Sequence, residues 1–319
     1  MEPSTSPIKE EPIMRQSFFS QLLDNPVVTK ELKGRMRGRQ GVVMLTVYLA
    51  LISFFILQAY VFLGMDNNFR SATPGFLQIV GKTIFSSVVL LELLMISFIG
   101  PALTSGAISS ERERQTIDLL RVSLLSAPAL ALGKLGSSVI FLLLLIFTAI
   151  PVQSLAFFLG GVGFAEMVIS TLMLVVTAVF FCTLGLFFSS FAKRTLIATV
   201  SSYGSILLSF IAFLVFLFMM GVFSSSLISP PSSPNSALYK DVFTVILWLS
   251  FSTNPFFAAG MSEAILINDQ SVFFTTSGLF FGSTSFPILS PWIIYVTFYS
   301  FMALVLTLAS MYFVSRPDK

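Results

Sequence analysis

Long apolar stretches alternate with short polar ones along most of the chain. One apolar stretch, residues 83–108, contains a single acidic residue, Glu92. Because about 20 helical residues cross the hydrocarbon core of a bilayer, the pattern predicts an all-α polytopic integral membrane protein with six transmembrane helices. The other five windows carry no charged side chain and cover residues 42–64, 137–159, 167–192, 196–223 and 291–315.

The residues before the first window divide into two parts. Residues 1–16 are polar and contain several prolines and glutamates, which predicts a disordered cytoplasmic leader. In residues 17–41 apolar side chains recur every four positions at Val28, Leu32 and Met36, and cations fill the intervening positions. This pattern predicts an N-terminal amphipathic helix that lies in the membrane interface and starts at Asn25-Pro26. The alternative is a solvated basic tail that contributes only to topology.

The segment between the fifth and sixth windows, residues 224–290, is long but not uniformly polar. Its apolar runs, 242–251 and 255–267, are too short to cross a bilayer. They predict a re-entrant outer helical hairpin before the last span, with Asn254-Pro255 starting its second helix. A single span over residues 242–267 is the alternative, and both the central Asn-Pro pair and Glu263 argue against it.

The distribution of cations predicts the orientation. The segments 1–41, 109–136, 192–195 and 316–319 contain 15 of the 18 Lys and Arg residues. The positive-inside rule therefore predicts that both termini of the chain lie in the cytoplasm. The leader is then cytoplasmic, and residues 42–319 form the transmembrane domain. With 55% hydrophobic and 10% charged residues the chain is no ordinary soluble domain, and its net charge of +3 reflects topology instead of nucleic-acid binding.

Several chemistries are disfavoured by the residue types present. The chain has no histidine and one cysteine, Cys182, so an intramolecular disulfide is excluded and a transition-metal site would need carboxylates alone. The segment 75–83 resembles a phosphate-binding loop, but five residues separate its glycines where that loop requires four. We therefore expect a non-catalytic chain that itself binds no cofactor.

The cytoplasmic loop 109–136 carries the most informative polar pattern. Ser110 and Glu113 have the spacing of a capping box, which predicts a helix start. Ile117, Leu120 and Leu124 then form an apolar stripe, and Pro128 is expected to end the element. A helix of about 12 residues is not stable alone in water, so the pattern predicts a partner surface or the membrane face.

Three segments in this order resemble one family. Residues 25–35 precede the first span, residues 109–120 read SSERERQTIDLL after the second, and Gly133-Lys134-Leu135 leads into the third. This arrangement resembles the ABC-2-type permeases, the membrane subunits of ATP-binding cassette exporters. The likeness covers most of the chain, including the six spans and the hairpin.

The resemblance implies a division of labour between subunits. The chain would be the permease that couples ATP hydrolysis by a separate ABC ATPase subunit, which holds ATP and Mg, to export across a bacterial plasma (inner) membrane. It would pair with a second copy or a paralogous permease. The implied connecting helix contains Lys30, Glu31, Arg35 and Arg37. The implied ATPase-coupling helix contains Ser110, Glu111, Arg112, Glu113, Arg114, Gln115, Thr116, Ile117 and Leu120.

Glu92 departs from the apolar character of the second window. It lies about 14 Å from the start of that window, near the bilayer centre. Ionisable residues at this depth are costly and are functional candidates. Glu92 is thus either a polar group on the translocation path or a protonated side chain hydrogen-bonded to a neighbouring helix.

Two other classes of protein remain open at this stage. A secondary transporter or channel would need no ATPase, but it is expected to carry several intramembrane charges, and Glu92 is the one present in the six windows. The third class is a membrane-embedded enzyme or assembly scaffold. An enzyme of this kind would need clustered catalytic side chains, which these windows do not contain.

Overall fold

The computed structural model describes residues 26–37, 39–65, 75–115, 127–227, 236–269, 272–275 and 287–315. Within these ranges six helices are long and apolar enough to cross a membrane, which confirms a multi-pass membrane protein. The helices in chain order are α1 (Pro26–Arg37), α2 (Arg39–Met65), α3 (Phe76–Thr104), α4 (Ser109–Glu113), α5 (Ala127–Phe158), α6 (Phe164–Phe191), α7 (Thr195–Leu227), α8 (Ser236–Ser252), α9 (Pro255–Asp269) and α10 (Pro291–Ser315).

Two of the six long helices, α3 and α5, begin seven or more residues before their apolar windows. α3 starts at Phe76, so residues 76–82, which precede the second apolar window, are helical. α5 starts at Ala127, and Pro128 therefore lies in its first turn instead of ending an element, because a first-turn proline needs no intrahelical N–H bond. Lys82 and Lys134 shortened the windows because their charge is incompatible with the bilayer centre, although it is compatible with a helix.

α6 lies at the centre of the bundle. It packs against α3, α5, α7 and α10, and its buried side chains include Leu174 and Leu186. α2 and α7 are peripheral, and the most apolar window of α7 has no buried residue. Both peripheral helices therefore present apolar faces outward, as expected for a bundle surrounded by lipid.

The turn between α5 and α6 packs directly on the backbone of α3. A Cβ atom on Gly161 would lie 2.5 Å from the carbonyl oxygen of Gln78 and 2.6 Å from the amide nitrogen of Lys82. No side chain fits at these distances, so glycine is required there for the close approach of the two segments. The contact fixes the end of the bundle at which α3 begins.

α8 and α9 form a bent pair, with an angle of 112° at the break between them. The Oδ1 atom of Asn254 accepts hydrogen bonds from the backbone N–H groups of Phe256 at 3.1 Å and Phe257 at 3.4 Å. The predicted start of the second helix at Asn254-Pro255 is thus confirmed. The hydroxyl of Tyr299 on α10 donates to the carbonyl oxygen of Thr253 at 2.9 Å, which holds the bend against α10.

A two-stranded antiparallel ribbon precedes α10. Strands β1 (Phe274–Thr275) and β2 (Ile288–Leu289) pair with Phe274 opposite Leu289. The indole N–H of Trp248 on α8 donates to the carbonyl oxygen of Leu289 at 2.9 Å, which ties the ribbon to the bent pair. The all-α prediction missed this ribbon because two-residue strands leave no alternating pattern in the sequence.

Candidate functional site

A buried lysine connects three helices at the end of the bundle where α3 ends and α5 begins. Lys134 is 5% exposed. Its Nζ atom donates to the carbonyl oxygen of Ala107 at 2.5 Å and to Oε1 of Glu111 at 3.2 Å, and it lies 3.5 Å from Oε1 of Glu31. Because a lysine ammonium has three N–H donors, each donor has an acceptor in reach. We call Glu31, Ala107, Glu111 and Lys134 the Lys134 junction.

Each member of the Lys134 junction comes from a different structural element. Glu31 lies on α1, Ala107 in the turn after α3, Glu111 on α4 and Lys134 in the second turn of α5. Ser137, one turn further along α5, donates its hydroxyl to Oε2 of Glu31 at 2.7 Å. α1 is therefore attached to α5 through both oxygens of one carboxylate.

The members of the Lys134 junction differ in exposure. One ammonium group faces two carboxylates, and the Glu31 and Glu111 side chains are 26% and 30% exposed. The two glutamates are partly exposed to water, whereas Lys134 is buried and depends on its protein partners. The lysine is thus the member whose loss disturbs the site most.

α4 begins differently from the prediction. Its N-cap residue is Ile108, no side chain caps it, and the capping box between Ser110 and Glu113 does not form. The backbone N–H groups of Ile108 and Ser109 instead donate to Oγ of Ser189 on α6, at 2.9 and 3.0 Å. A hydroxyl from a neighbouring helix thus satisfies two backbone donors at the start of α4, and sequence spacing cannot reveal such a partner.

The remaining contacts of α4 fix it to the segment between α6 and α7. Nη1 of Arg112 donates to the carbonyl oxygen of Ala192 at 3.2 Å, and the hydroxyl of Thr195 donates to Oε2 of Glu113 at 2.7 Å. Gln115 has a φ of 55°, in the left-handed region, so α4 cannot continue through it. The predicted uninterrupted helix of about 12 residues is therefore wrong within the described residues.

The structure describes only some of the other predicted site residues. Arg114 and Gln115 are exposed at the end of α4, and Ser110 is partly exposed. Lys30, Arg35 and Arg37 lie on α1, but their side chains are outside the described part of the chain. Residues 116–126, which include Thr116, Ile117 and Leu120, lie outside the described residues.

Glu92 occupies a second polar cluster, inside the bundle. The residue is fully buried. Its Oε1 atom accepts a hydrogen bond from the hydroxyl of Tyr48 on α2 at 3.3 Å, and its Oε2 atom accepts one from Nε2 of Gln153 on α5 at 2.8 Å. Both carboxyl oxygens thus have partners on neighbouring helices. These hydrogen bonds offset part of the free energy that it costs to place this group among apolar side chains.

An open groove of about 300 Å³ lies beside this cluster, between α2 and α3. Its lining is almost entirely apolar and includes Val47, Leu51 and Met95. Tyr48 also lines the groove and donates its hydroxyl to Glu92. Tyr48 therefore stands between the groove and the buried carboxyl group.

Sequence reasoning named Lys134 only as part of a Gly-Lys-Leu motif and did not single out Tyr48, Gln153 or Ser189. A usable signal existed for Gln153, because buried polar side chains in apolar helices pair with one another and Glu92 was already identified. No comparable signal existed for Lys134, whose partners are 23 and 103 positions away in the chain.

Comparisons with protein-family models and with curated proteins found no match for this chain. Among the described residues, no three or more His, Cys, Asp or Glu side chains are grouped so that they could hold a metal ion. The assignment of a function therefore depends on the residues and their geometry.

Proposed function

We propose that this chain is the permease subunit of an ABC-2-type exporter, in which a separate ABC ATPase subunit holds ATP and Mg and drives export. The observation that carries the proposal is the Lys134 junction. It joins α1, the proposed connecting helix, to α4, the start of the proposed coupling segment, through one buried lysine of α5. These are the two segments that the family likeness assigns to the ATPase contact.

The Lys134 junction would convert displacement of the ATPase contact into displacement of the bundle. A push on α1 or on α4 reaches Lys134 through a carboxylate, and α5 extends from Lys134 across the bundle. α4 is also bonded to Ser189 at the end of α6 and to Thr195 at the start of α7. A single movement of α4 would therefore displace three long helices, α5, α6 and α7. Rocking between inward-open and outward-open states requires such a joint displacement.

α1 has the exposure pattern of a surface helix. Val28 is 4% exposed, whereas Thr29, Lys33 and Gly34 are exposed. An apolar side chain facing the bundle and polar positions facing outward support the proposal that α1 lies in the interface on the cytoplasmic side. The same orientation would place both termini in the cytoplasm of a bacterial cell.

The bent pair α8 and α9 lies at the end of the bundle opposite the Lys134 junction. Its bend contacts Tyr299, which lies eight residues into α10 or about 12 Å along that helix. A bend at this depth supports a re-entrant hairpin that enters the outer leaflet and acts as an exit gate.

The groove between α2 and α3 supports an apolar or amphipathic cargo. Its apolar lining suits an acyl or other hydrocarbon portion, and the hydroxyl of Tyr48, backed by Glu92, offers one polar contact at its wall. In this proposal Glu92 acts on the translocation path through Tyr48. A second permease, identical or paralogous, would complete the path.

Charge reversal at Arg114 tests the proposal. Arg114 is exposed at the end of α4, so Arg114→Glu leaves the buried contacts in place while opposing a docked ATPase. Ser315→Glu is the matched control, because Ser315 is exposed and its helix α10 ends beside Phe191 of α6, at the same end of the bundle. The complex is purified from native membranes through a tag on this chain, and ATP hydrolysis per permease is measured.

We expect Arg114→Glu to reduce the co-purified ATPase activity about tenfold or more, which corresponds to about 1.4 kcal/mol of binding free energy. Ser315→Glu should retain it. Transport by a purified chain that carries no ATPase would contradict the proposal and favour a secondary transporter or channel.

A further inference from the structure

A second cluster of charged side chains lies at the end of the bundle opposite the Lys134 junction. It surrounds a cavity of about 20 Å³ between α3, α6 and α9, which is enough room for about one water molecule. Glu166 of α6 and both Ser262 and Glu263 of α9 line this cavity. Lys82 and Glu166 lie close enough to Glu263 to act on it through their charges. We call Lys82, Ser86, Glu166, Ser262 and Glu263 the Glu263 cluster.

The hydroxyl of Ser86 has two acceptors within reach and one proton to donate. The Oγ atom of Ser86 lies 2.9 Å from the carbonyl oxygen of Lys82, and it is also in hydrogen-bond contact with Oε1 of Glu263. A serine hydroxyl donates one proton, and a carbonyl oxygen can only accept. Both contacts are satisfied at once when Ser86 donates to Lys82 and a protonated Glu263 donates to Ser86.

The charges of the cluster also favour a protonated Glu263. Lys82 and Glu166 carry opposite charges, and Oε2 of Glu166 accepts the Gly163 N–H at 3.3 Å, at the start of α6. An ionised Glu263 would leave one negative charge without compensation beside the apolar cavity lining, which includes Phe85 and Val89. Binding of one proton to Glu263 makes the cluster neutral.

Ser262 indicates how a proton reaches this site. Ser262 is 3% exposed, it lines the cavity, and its Oγ atom has no hydrogen-bond partner among the described residues. A water molecule in this cavity, whose lining also contains Glu166 and Glu263, would supply the missing partner. A water bonded to Ser262 would stand next to Glu263 and could deliver or accept its proton.

We propose that Glu263 is a proton-binding site and that its bound proton joins α9 to α3 through Ser86. Proton binding converts the carboxylate to a carboxylic acid whose O–H donates to Ser86. When the proton leaves to solvent, Glu263 and the Lys82 carbonyl compete for the one hydroxyl proton of Ser86, and α9 is held less firmly. The bent pair would then respond to the pH on its side of the membrane, with no ATPase required.

The other helices packed against α9 carry few described titratable groups. α10 contributes Tyr295, whose hydroxyl is 2.7 Å from that of Thr177, and Tyr299, which donates to Thr253. α8 contributes Asp241 near its start. Ordinary phenols stay neutral below about pH 10, which leaves Lys82 and Glu166 as the charges that tune Glu263.

Infrared spectroscopy tests for the proton directly. The full chain in lipid nanodiscs is titrated, and the carbonyl stretch of protonated carboxylic acids is compared between the wild type and Glu263→Gln. A solvated glutamate titrates near pH 4.3 and has lost this band by about pH 6. We expect a band at about pH 6 that Glu263→Gln removes. Identical spectra of the two proteins at this pH would overturn the proposal.

A distance measurement tests the mechanical consequence. Spin labels at Leu77→Cys on α3 and Gly260→Cys on α9 report the separation of the two helices, because both positions are exposed. We expect a narrow distance distribution at about pH 6 that broadens or lengthens as the infrared band is lost. Glu263→Gln should remain narrow throughout, because its amide can donate to Ser86. A wild-type distance distribution that does not change with pH would refute the proposed proton-dependent link between α9 and α3.

Two charge variants set the direction of the response. Lys82→Met removes a cation that favours the carboxylate, so the midpoint of the transition should rise. Glu166→Gln removes an anion that disfavours the carboxylate, so the midpoint should fall. Shifts in the reverse directions, or no shift in either variant, would exclude Glu263 as the titrating group.

Discussion

Replacing Lys134 by methionine should detach α1 from the bundle. Methionine keeps most of the aliphatic volume of lysine but removes the ammonium that bonds Ala107 at 2.5 Å and Glu111 at 3.2 Å and attracts Glu31. Two carboxylates then face each other across a space that held a cation. The hydrogen bond from Ser137 to Glu31 remains.

The expected magnitude follows from burial. Removing one partner of a buried ion pair costs about 3–5 kcal/mol. The Glu31 and Glu111 side chains are 26% and 30% exposed and can turn toward water, so the low end, about 3 kcal/mol, applies here. A change of about 3 kcal/mol corresponds to a factor of about 100 in the equilibrium between attached and detached α1.

Hydrogen exchange measures that equilibrium helix by helix. We expect the α1 amides of the purified chain to exchange up to about 100-fold faster in Lys134→Met, while α10 amides keep their wild-type rates. Adding Glu31→Gln and Glu111→Gln should restore part of the protection, because two carboxylates then no longer face each other across the space that held the cation. Unchanged exchange of α1 in Lys134→Met would refute the assignment of Lys134 as the joint.

Four further substitutions have defined outcomes. Asn254→Ala removes the cap of α9 and should cost about 1 kcal/mol. Gly185→Ala should cost about 1–3 kcal/mol, because the new Cβ would lie 3.0 Å from the α3 backbone, whereas Gly204→Ala, with nothing within 4 Å, should be neutral or stabilise its helix by up to about 1 kcal/mol. Glu92→Gln keeps groups that can bond Tyr48 and should fold normally, with reduced transport if Glu92 acts on the translocation path.

Reaction of the Cys182 thiol measures the stability of these variants. The Cys182 thiol is buried, so it should react with a thiol reagent only when the bundle opens, and the labelling temperature reports stability. Equal labelling temperatures for Gly185→Ala and Gly204→Ala would contradict the close packing of α6 on α3. Unchanged transport and ATPase activity in Glu92→Gln would count against a role for Glu92 on the path.

The features that could be predicted from sequence are those encoded locally. Uninterrupted apolar length reveals a membrane helix, and Asn254-Pro255 marks a helix start through neighbouring atoms alone. The predicted boundaries of α3 and α5 were less accurate, because Lys82 and Lys134 ended the apolar windows while the helices continued.

The candidate sites depend on contacts between distant residues, and sequence reasoning found them only in part. Glu92 was identifiable because a charge in an apolar window is conspicuous, but its partner Tyr48 looked like an ordinary aromatic residue. The Ser110 and Glu113 spacing matched a capping box, yet Ser189 on α6 supplies the cap. Such outcomes are decided by helix packing, which no local pattern contains.

The most direct test of the proposed function is a crosslink from α4. A photoreactive amino acid is placed at the exposed position Arg114 of the full chain in native membranes, and captured proteins are probed with a photoreactive ATP analogue. The proposal predicts one crosslinked partner that binds the analogue, and no such product when the same group is placed at Leu77, near the opposite end of α3. A chain that transports its cargo yet yields no ATP-binding product from Arg114 would contradict the proposed function.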